Sequence, residues 1–175
     1  MRKQSVVDMR KYDIVIGIDP DTKKSGYAVI NSKSGVVQSA TDWELAKLFG
    51  ILAAEKISCE ELGLSIVVVV EAAYLGSHHN WHLGGGFISP AKAATLGYHT
   101  GRNHETGRAI VEFCKYIGID VVPQLPLKKC WRGQDKKITH DEITRITQWD
   151  KKRSNQEVRD AVLIAWNYAR LPMKL

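Results

Sequence analysis

Residues 65–70 read SIVVVV and run directly into Glu71. An unbroken β-branched stretch of this kind suits a parallel strand covered on both faces, so the chain must build a layer on each side of it. A second stretch, DIVIGID over residues 13–19, has the same character and also closes on an acid, Asp19. A carboxylate at the mouth of a buried strand is costly unless it is paired or ligates a metal. Asp19 and Glu71 are therefore the first candidate functional residues.

Turn and periodicity signals order the rest. Asp-Pro-Asp at 19–21 makes a turn, and GYAVI (26–30) and GVVQSAT (35–41) read as two further strands joined by a short loop at 31–35. Leu45, Leu48, Phe49, Leu52 and Ala53 recur at helical spacing within 43–62. The Gly- and His-rich segment 76–88 has no period and reads as a loop. Ser89-Pro90 opens a helix that runs to about Tyr116, with Gly101 as a candidate break. Residues 119–122 form a fifth strand, 126–137 a basic loop, 139–149 a helix, and 157–171 a last helix with Ala161, Ile164, Ala165, Tyr168 and Ala169 inward. The order βββαβαβαα predicts an α/β fold. Its sheet is mixed and five-stranded, its first three strands are antiparallel, and helices flank both faces.

The 175 residues, 44% of them hydrophobic, hold one domain with a real core, expected to span 1–175 with residues 1–12 as an N-terminal extension. Most two-domain kinases and synthetases, which need a cleft between two lobes, are not expected at this length. The longest apolar run is far below the roughly 20 residues that cross a bilayer, and the charged N-terminus lacks the pattern of a secretory leader, so a cytoplasmic address is expected. Cys59, Cys114 and Cys130 have no metal-ligand spacing and suit reduced thiols. The net charge of +6 is unevenly placed. Residues 1–87 carry 9 Lys+Arg against 10 Asp+Glu, and residues 88–175 carry 16 against 9. The excess is densest at Lys128, Lys129, Arg132, Lys136 and Lys137, then Lys151, Lys152 and Arg153. Such a stripe is either a solvated face or a nucleic-acid surface.

Glu157 and Asp160 stand three residues apart on one face of the last helix, at the open end of its apolar stripe. In this strand order the first and fourth strands are neighbours, so Asp19 and Glu71 converge as well. Four carboxylates from three elements are a donor set for hard divalent cations. Two Mg²⁺ ions about 4 Å apart clamp a phosphodiester and generate hydroxide. Each acid also has a plainer reading. Ser154-x-x-Glu157 fits a capping box, Asp160 complements the helix dipole, and Asp19 and Glu71 suit turns.

IGIDPDTKKSGYAVI, VVVVEAAYLG and EVRDAVLIAW, in register over about residues 13–169, resemble the RuvC family of Holliday-junction resolvases. The resemblance implies an RNase H-like fold with Asp19, Glu71, Glu157 and Asp160 as catalytic, metal-binding acids for two Mg²⁺ ions, Mn²⁺ serving as a substitute. It implies a homodimeric endonuclease that nicks four-way DNA junctions symmetrically and leaves 5′-phosphate and 3′-hydroxyl ends. It also makes Tyr74, three residues after Glu71, a junction wedge, and gives Lys128, Lys129, Arg132, Lys136 and Lys137 to DNA contact. Three departures stand out: Asp21 replaces a family Gly in a turn whose left-handed geometry Asp tolerates, Glu157 replaces Asp or His, and the 76–88 loop is longer.

His78, His79 and His82 supply no fourth ligand at a recognisable spacing, which favours a DNA-contacting or mobile loop, or simply solvated histidines, over a Zn²⁺ site. Trp81, Phe87 and Trp131 suit either base stacking or packing. Three other functions stay open: a junction-binding module without turnover, a nuclease on other branched DNA or RNA/DNA hybrids, and an actin-like ATPase half, whose first phosphate motif IGIDPDTKKSGYA also resembles.

Overall fold

The computed structural model describes residues 12–76 and 89–173. The N-terminal extension, with the exception of Tyr12, and most of the Gly/His-rich loop, with His78, His79, Trp81, His82 and Phe87, lie outside the described residues. Five strands, β1 (Ile14–Asp19), β2 (Ser25–Asn31), β3 (Val36–Trp43), β4 (Ile66–Glu71) and β5 (Asp120–Gln124), form one sheet in the order β3-β2-β1-β4-β5. The β1–β2 and β2–β3 pairs are antiparallel, and β1–β4 and β4–β5 are parallel. The expected α/β class and mixed sheet are therefore present. β4 is an interior strand between β1 and β5, and Val67, Val68, Val69 and Val70 are fully buried, as a run covered on both faces requires.

Alternation along the strands sorts the core into two layers. Ile14, Ile16, Ile18, Val68 and Val70 face α1 (Leu45–Glu61) and α2 (Pro90–Tyr116), with Leu48, Leu52, Ile110 and Cys114 opposite them. Phe49 and Phe113 stack at 4.2 Å between the two helices. Val15, Val67 and Val69 face α3 (His140–Thr147) and α4 (Gln156–Tyr168), against Ile143, Ile146, Val158, Ala161 and Ala165. Among the described residues, no helix is long and apolar enough to cross a membrane.

Some boundaries differ from expectation, each for a local reason. α2 runs unbroken through Gly101, where nothing lies within 4 Å of an added Cβ. α3 stops at Thr147 because Gln148 turns left-handed at φ 56°. β5 extends to Gln124 through Pro123, which an edge strand tolerates because it lacks a second partner for that missing N–H.

α4 lies unusually close to the sheet. A Cβ on Gly17 would come within 2.2 Å of the Ala161 carbonyl oxygen, and one on Gly26 within 1.9 Å of that of Glu157. Both glycines leave room for the backbone of α4 itself. Gly17→Ala is expected to lower stability by about 1–3 kcal/mol or more through forced overpacking, read as a lower urea midpoint at unchanged slope.

Candidate active site

The parallel register pairs Ile18 with Val70, so Asp19 and Glu71 leave adjacent strand ends side by side. On the other flank of β1, Asp19 pairs with Gly26, the residue on which the Glu157 backbone rests. The first turns of α4 thus come down over the ends of β1 and β4. Asp19, Glu71, Glu157 and Asp160 line one cleft of about 220 Å³, together with Asp21, Asn103, Lys128, Lys129, Trp131 and Lys137.

The start of α4 differs from the sequence reading in a way that matters here. Asn155, not Ser154, caps the helix: its side-chain oxygen accepts from Val158 N at 3.0 Å, and its amide donates to Asp42 Oδ2 at 2.5 Å. Ser154 Oγ instead meets His140 Nδ1 at 3.0 Å. The Ser154–Glu157 capping box is therefore not formed, and Glu157 is left to the cleft. The S/T-x-x-E pattern is used one helix earlier, where Thr139 and Glu142 form a full capping box. The turn after β1 also differs. Asp21 does not adopt left-handed geometry; its carboxylate accepts from Lys23 N at 2.8 Å in an Asx turn.

Burial holds the Asp19 carboxyl well above the usual carboxylate range, and the charges of Glu71, Asp160 and Glu157 add to the effect. Burial also raises Glu71, with Asp160 contributing, while Lys129 and Lys137 oppose it. Asp160 is raised by burial against the pull of its Gln156 hydrogen bond, Lys137, Arg159 and Lys129. The acids repel one another in a partly dry cleft, and the lysines of the basic segment face them. Among the described residues, no three His, Cys, Asp or Glu side chains are gathered tightly enough to hold an ion as they stand. The four carboxylates share a cleft rather than a single point.

The basic segment is anchored by a residue that sequence reasoning passed over. Glu142 is buried, which by itself would raise its carboxyl, but hydrogen bonds from Thr139 N, Thr139 Oγ1 and Arg132 N hold it below the ordinary range. Lys128, Lys129 and Lys137 reach the cleft. Arg132 and Lys136 are exposed and are not among its lining residues. Trp131 is half-buried, packed against the core and lining the cleft at once. Tyr74 follows β4 in a single 3-10 turn, Ala73–Leu75. Its ring lies over Gly107, where an added Cβ would be 3.5 Å from Cε1, and the Arg108 guanidinium sits 4.7 Å from the ring centre. As found, this aromatic is seated on α2 rather than projecting. Asn103, also unforeseen, brings an amide from α2 to the cleft.

Superposition on solved structures gives a TM-score of 0.52 to Thermus thermophilus RuvC in complex with a Holliday junction substrate, at 16% identity over 90% of this chain and 94% of that one. The chain has the fold of RuvC. A second T. thermophilus RuvC structure aligns at 0.48 and 16% identity over 90% and 95% of the two chains. The large terminase nuclease of the thermophilic phage G20c aligns at 0.43 and 12% identity over 90% and 82%. No family model and no curated protein sequence matches the chain. The RNase H-like fold expected from the three in-register motifs is thus shared at the level of structure.

Three raised carboxyl groups make a stability prediction. Where a folded-state pKa lies above its unfolded value, the native protein binds more protons across that interval, so stability falls as pH rises through it. In buffer containing chelator, Asp19→Asn is expected to raise the thermal midpoint at neutral pH, by roughly 2–4 °C for each kcal/mol of repulsion removed. The gain should shrink as pH is lowered toward the ordinary carboxylate range. Calorimetric scans of both proteins across pH measure it.

Proposed function

We propose that the protein is a divalent-metal-dependent endonuclease acting on branched DNA, four-way junctions foremost. The observation that carries this reading is the cleft itself, lined both by the acids Asp19, Glu71, Glu157 and Asp160 and by the lysines Lys128, Lys129 and Lys137. A phosphodiester is drawn in by the lysines, yet four acids would repel it unless cations intervene.

The donor chemistry fits Mg²⁺ or Mn²⁺. All four donors are carboxylates, the oxygen ligands that hard cations select, and the repulsion that raises Asp19, Glu71 and Asp160 is relieved by positive charge. Such ions, when bound in a pair, activate water and stabilise the leaving 3′ oxygen. Asp19 and Glu71 would hold the ions from the sheet, Glu157 and Asp160 from α4. Lys128, Lys129 and Lys137 orient the backbone phosphates, with Arg132 and Lys136 extending the positive surface outward. Tyr74 would wedge into the junction after leaving its seat beneath Arg108. The shared fold with a RuvC solved on a Holliday junction supports the choice of substrate. A symmetric four-way substrate calls for a homodimer, each copy nicking one strand.

Incubation with a labelled four-way junction and a linear duplex tests the reading. Mg²⁺-dependent paired nicks in the junction are expected, with Asp19→Asn slower by at least about 100-fold. Uncut junction with either metal, or unimpaired Asp19→Asn, overturns it. Junction binding without turnover is the second reading, favoured by the absence of a ready-made coordination point among the described residues. Heat of Mg²⁺ binding in calorimetry separates the two. Lys137→Ala should weaken junction binding across sequences and reduce the slope of log affinity against log salt by about 1.

A further inference from the structure

One polar relay joins the basic segment to the acid cluster through the first turn of α4. The Arg159 side chain donates from Nε to the Ile138 carbonyl at 3.0 Å, from Nη1 to the Ser154 carbonyl, and from Nη2 to Gln156 Oε1 at 2.8 Å. Gln156 Nε2 in turn donates to Asp160 Oδ1 at 2.8 Å. The polarity is forced. A guanidinium has only donors, so the Gln156 carbonyl must face it, which turns the amide NH₂ toward the carboxylate. Ile138 directly follows Lys137, one of the cleft lysines.

We infer that Arg159 and Gln156 are positioning residues that hold Asp160 and the Lys137–Ile138 backbone in one fixed relation, an inference that rests on the metal-nuclease reading above. The bond from Gln156 engages Asp160 Oδ1 and leaves Oδ2 free of it, so it fixes the orientation of a carboxylate that would hold an ion. The bond from Arg159 to Ile138 keeps Lys137 at the cleft, so the phosphate contact and the ligand move together. Only a planar fork meets three acceptors at once, and a lysine in its place would not.

Two substitutions divide the relay. Gln156→Glu retains an acceptor for Arg159 but, when ionised, has no hydrogen to give Asp160. Its added negative charge would by itself favour cation binding, so a loss of affinity reports the altered hold on Asp160. The expected result is Mn²⁺ affinity lower by about 10-fold or more in calorimetry, with the junction KM unchanged. Arg159→Lys should lower Mn²⁺ affinity and also raise the junction KM, because both arms of the relay are cut.

Gln156→Glu that binds Mn²⁺ as tightly as the wild type, or tighter, overturns the inference alone. So does a junction KM that rises in step with the loss of metal affinity, since that marks a general disturbance of the cleft rather than the hold on Asp160. A wild-type protein that binds no Mn²⁺ overturns the nuclease reading and this inference with it.

Discussion

The contact on which the site depends is backbone against backbone, where α4 lies on Gly17 and Gly26. A helix spaced from the sheet by ordinary side chains would sit farther out, and its early acids would be lifted away from the strand ends. Two missing side chains, on adjacent central strands, let the carbonyls of Ala161 and Glu157 approach the sheet directly. Glu157 is therefore placed by main-chain packing rather than by its own side-chain contacts, which leaves its carboxylate uncommitted. Asn155 adds a second fixing point, tied to Asp42 at the end of β3. A register shift in either strand would move a bulky residue under the helix and lift the acids away.

That placement creates an electrostatic conflict. Burial and mutual repulsion push Asp19, Glu71 and Asp160 toward their neutral forms. The fold thus gathers acidic groups where burial and repulsion work against their charge, at a cost in stability. The lysines moderate the conflict without cancelling it. Lys129 and Lys137 lower both Glu71 and Asp160, yet the net direction for each remains upward. A cluster fully neutralised by its own lysines would have no affinity left for a cation. The +6 of the whole chain conceals this arrangement, because the positive residues surround a locally negative cleft.

Much of this was legible in the chain. β-branched runs fixed the central strands, an acid at the end of each pointed to the cleft, and helical spacing put Glu157 and Asp160 on one face. What escaped depended on spatial neighbours that lie far apart in sequence. Gly17 and Gly26 read as ordinary strand residues until a helix more than 130 residues later lies on them. The capping pattern occurs at both Thr139 and Ser154, and nothing local separates them. The choice is made by Asp42 and His140, which draw Asn155 and Ser154 into other bonds. The bonds of Glu142 to the Arg132 amide and of Arg159 to the Ile138 carbonyl escaped for the same reason, since those partners are main-chain groups of a loop with no periodic signal.

The two anchors of the basic segment explain why a loop, not a helix or strand, carries the cleft lysines. Glu142 grips the Arg132 amide from one side and Arg159 grips the Ile138 carbonyl from the other. Between them the chain passes through left-handed backbone at Asp135 and Lys136, a conformation regular elements exclude. A regular element would present its lysines at fixed spacing along one face. A loop pinned at both ends can turn Lys137 inward while Arg132 and Lys136 stay exposed. The segment is thus pinned beside the acids by Glu142 and Arg159, while Arg132 and Lys136 stay on its exposed side.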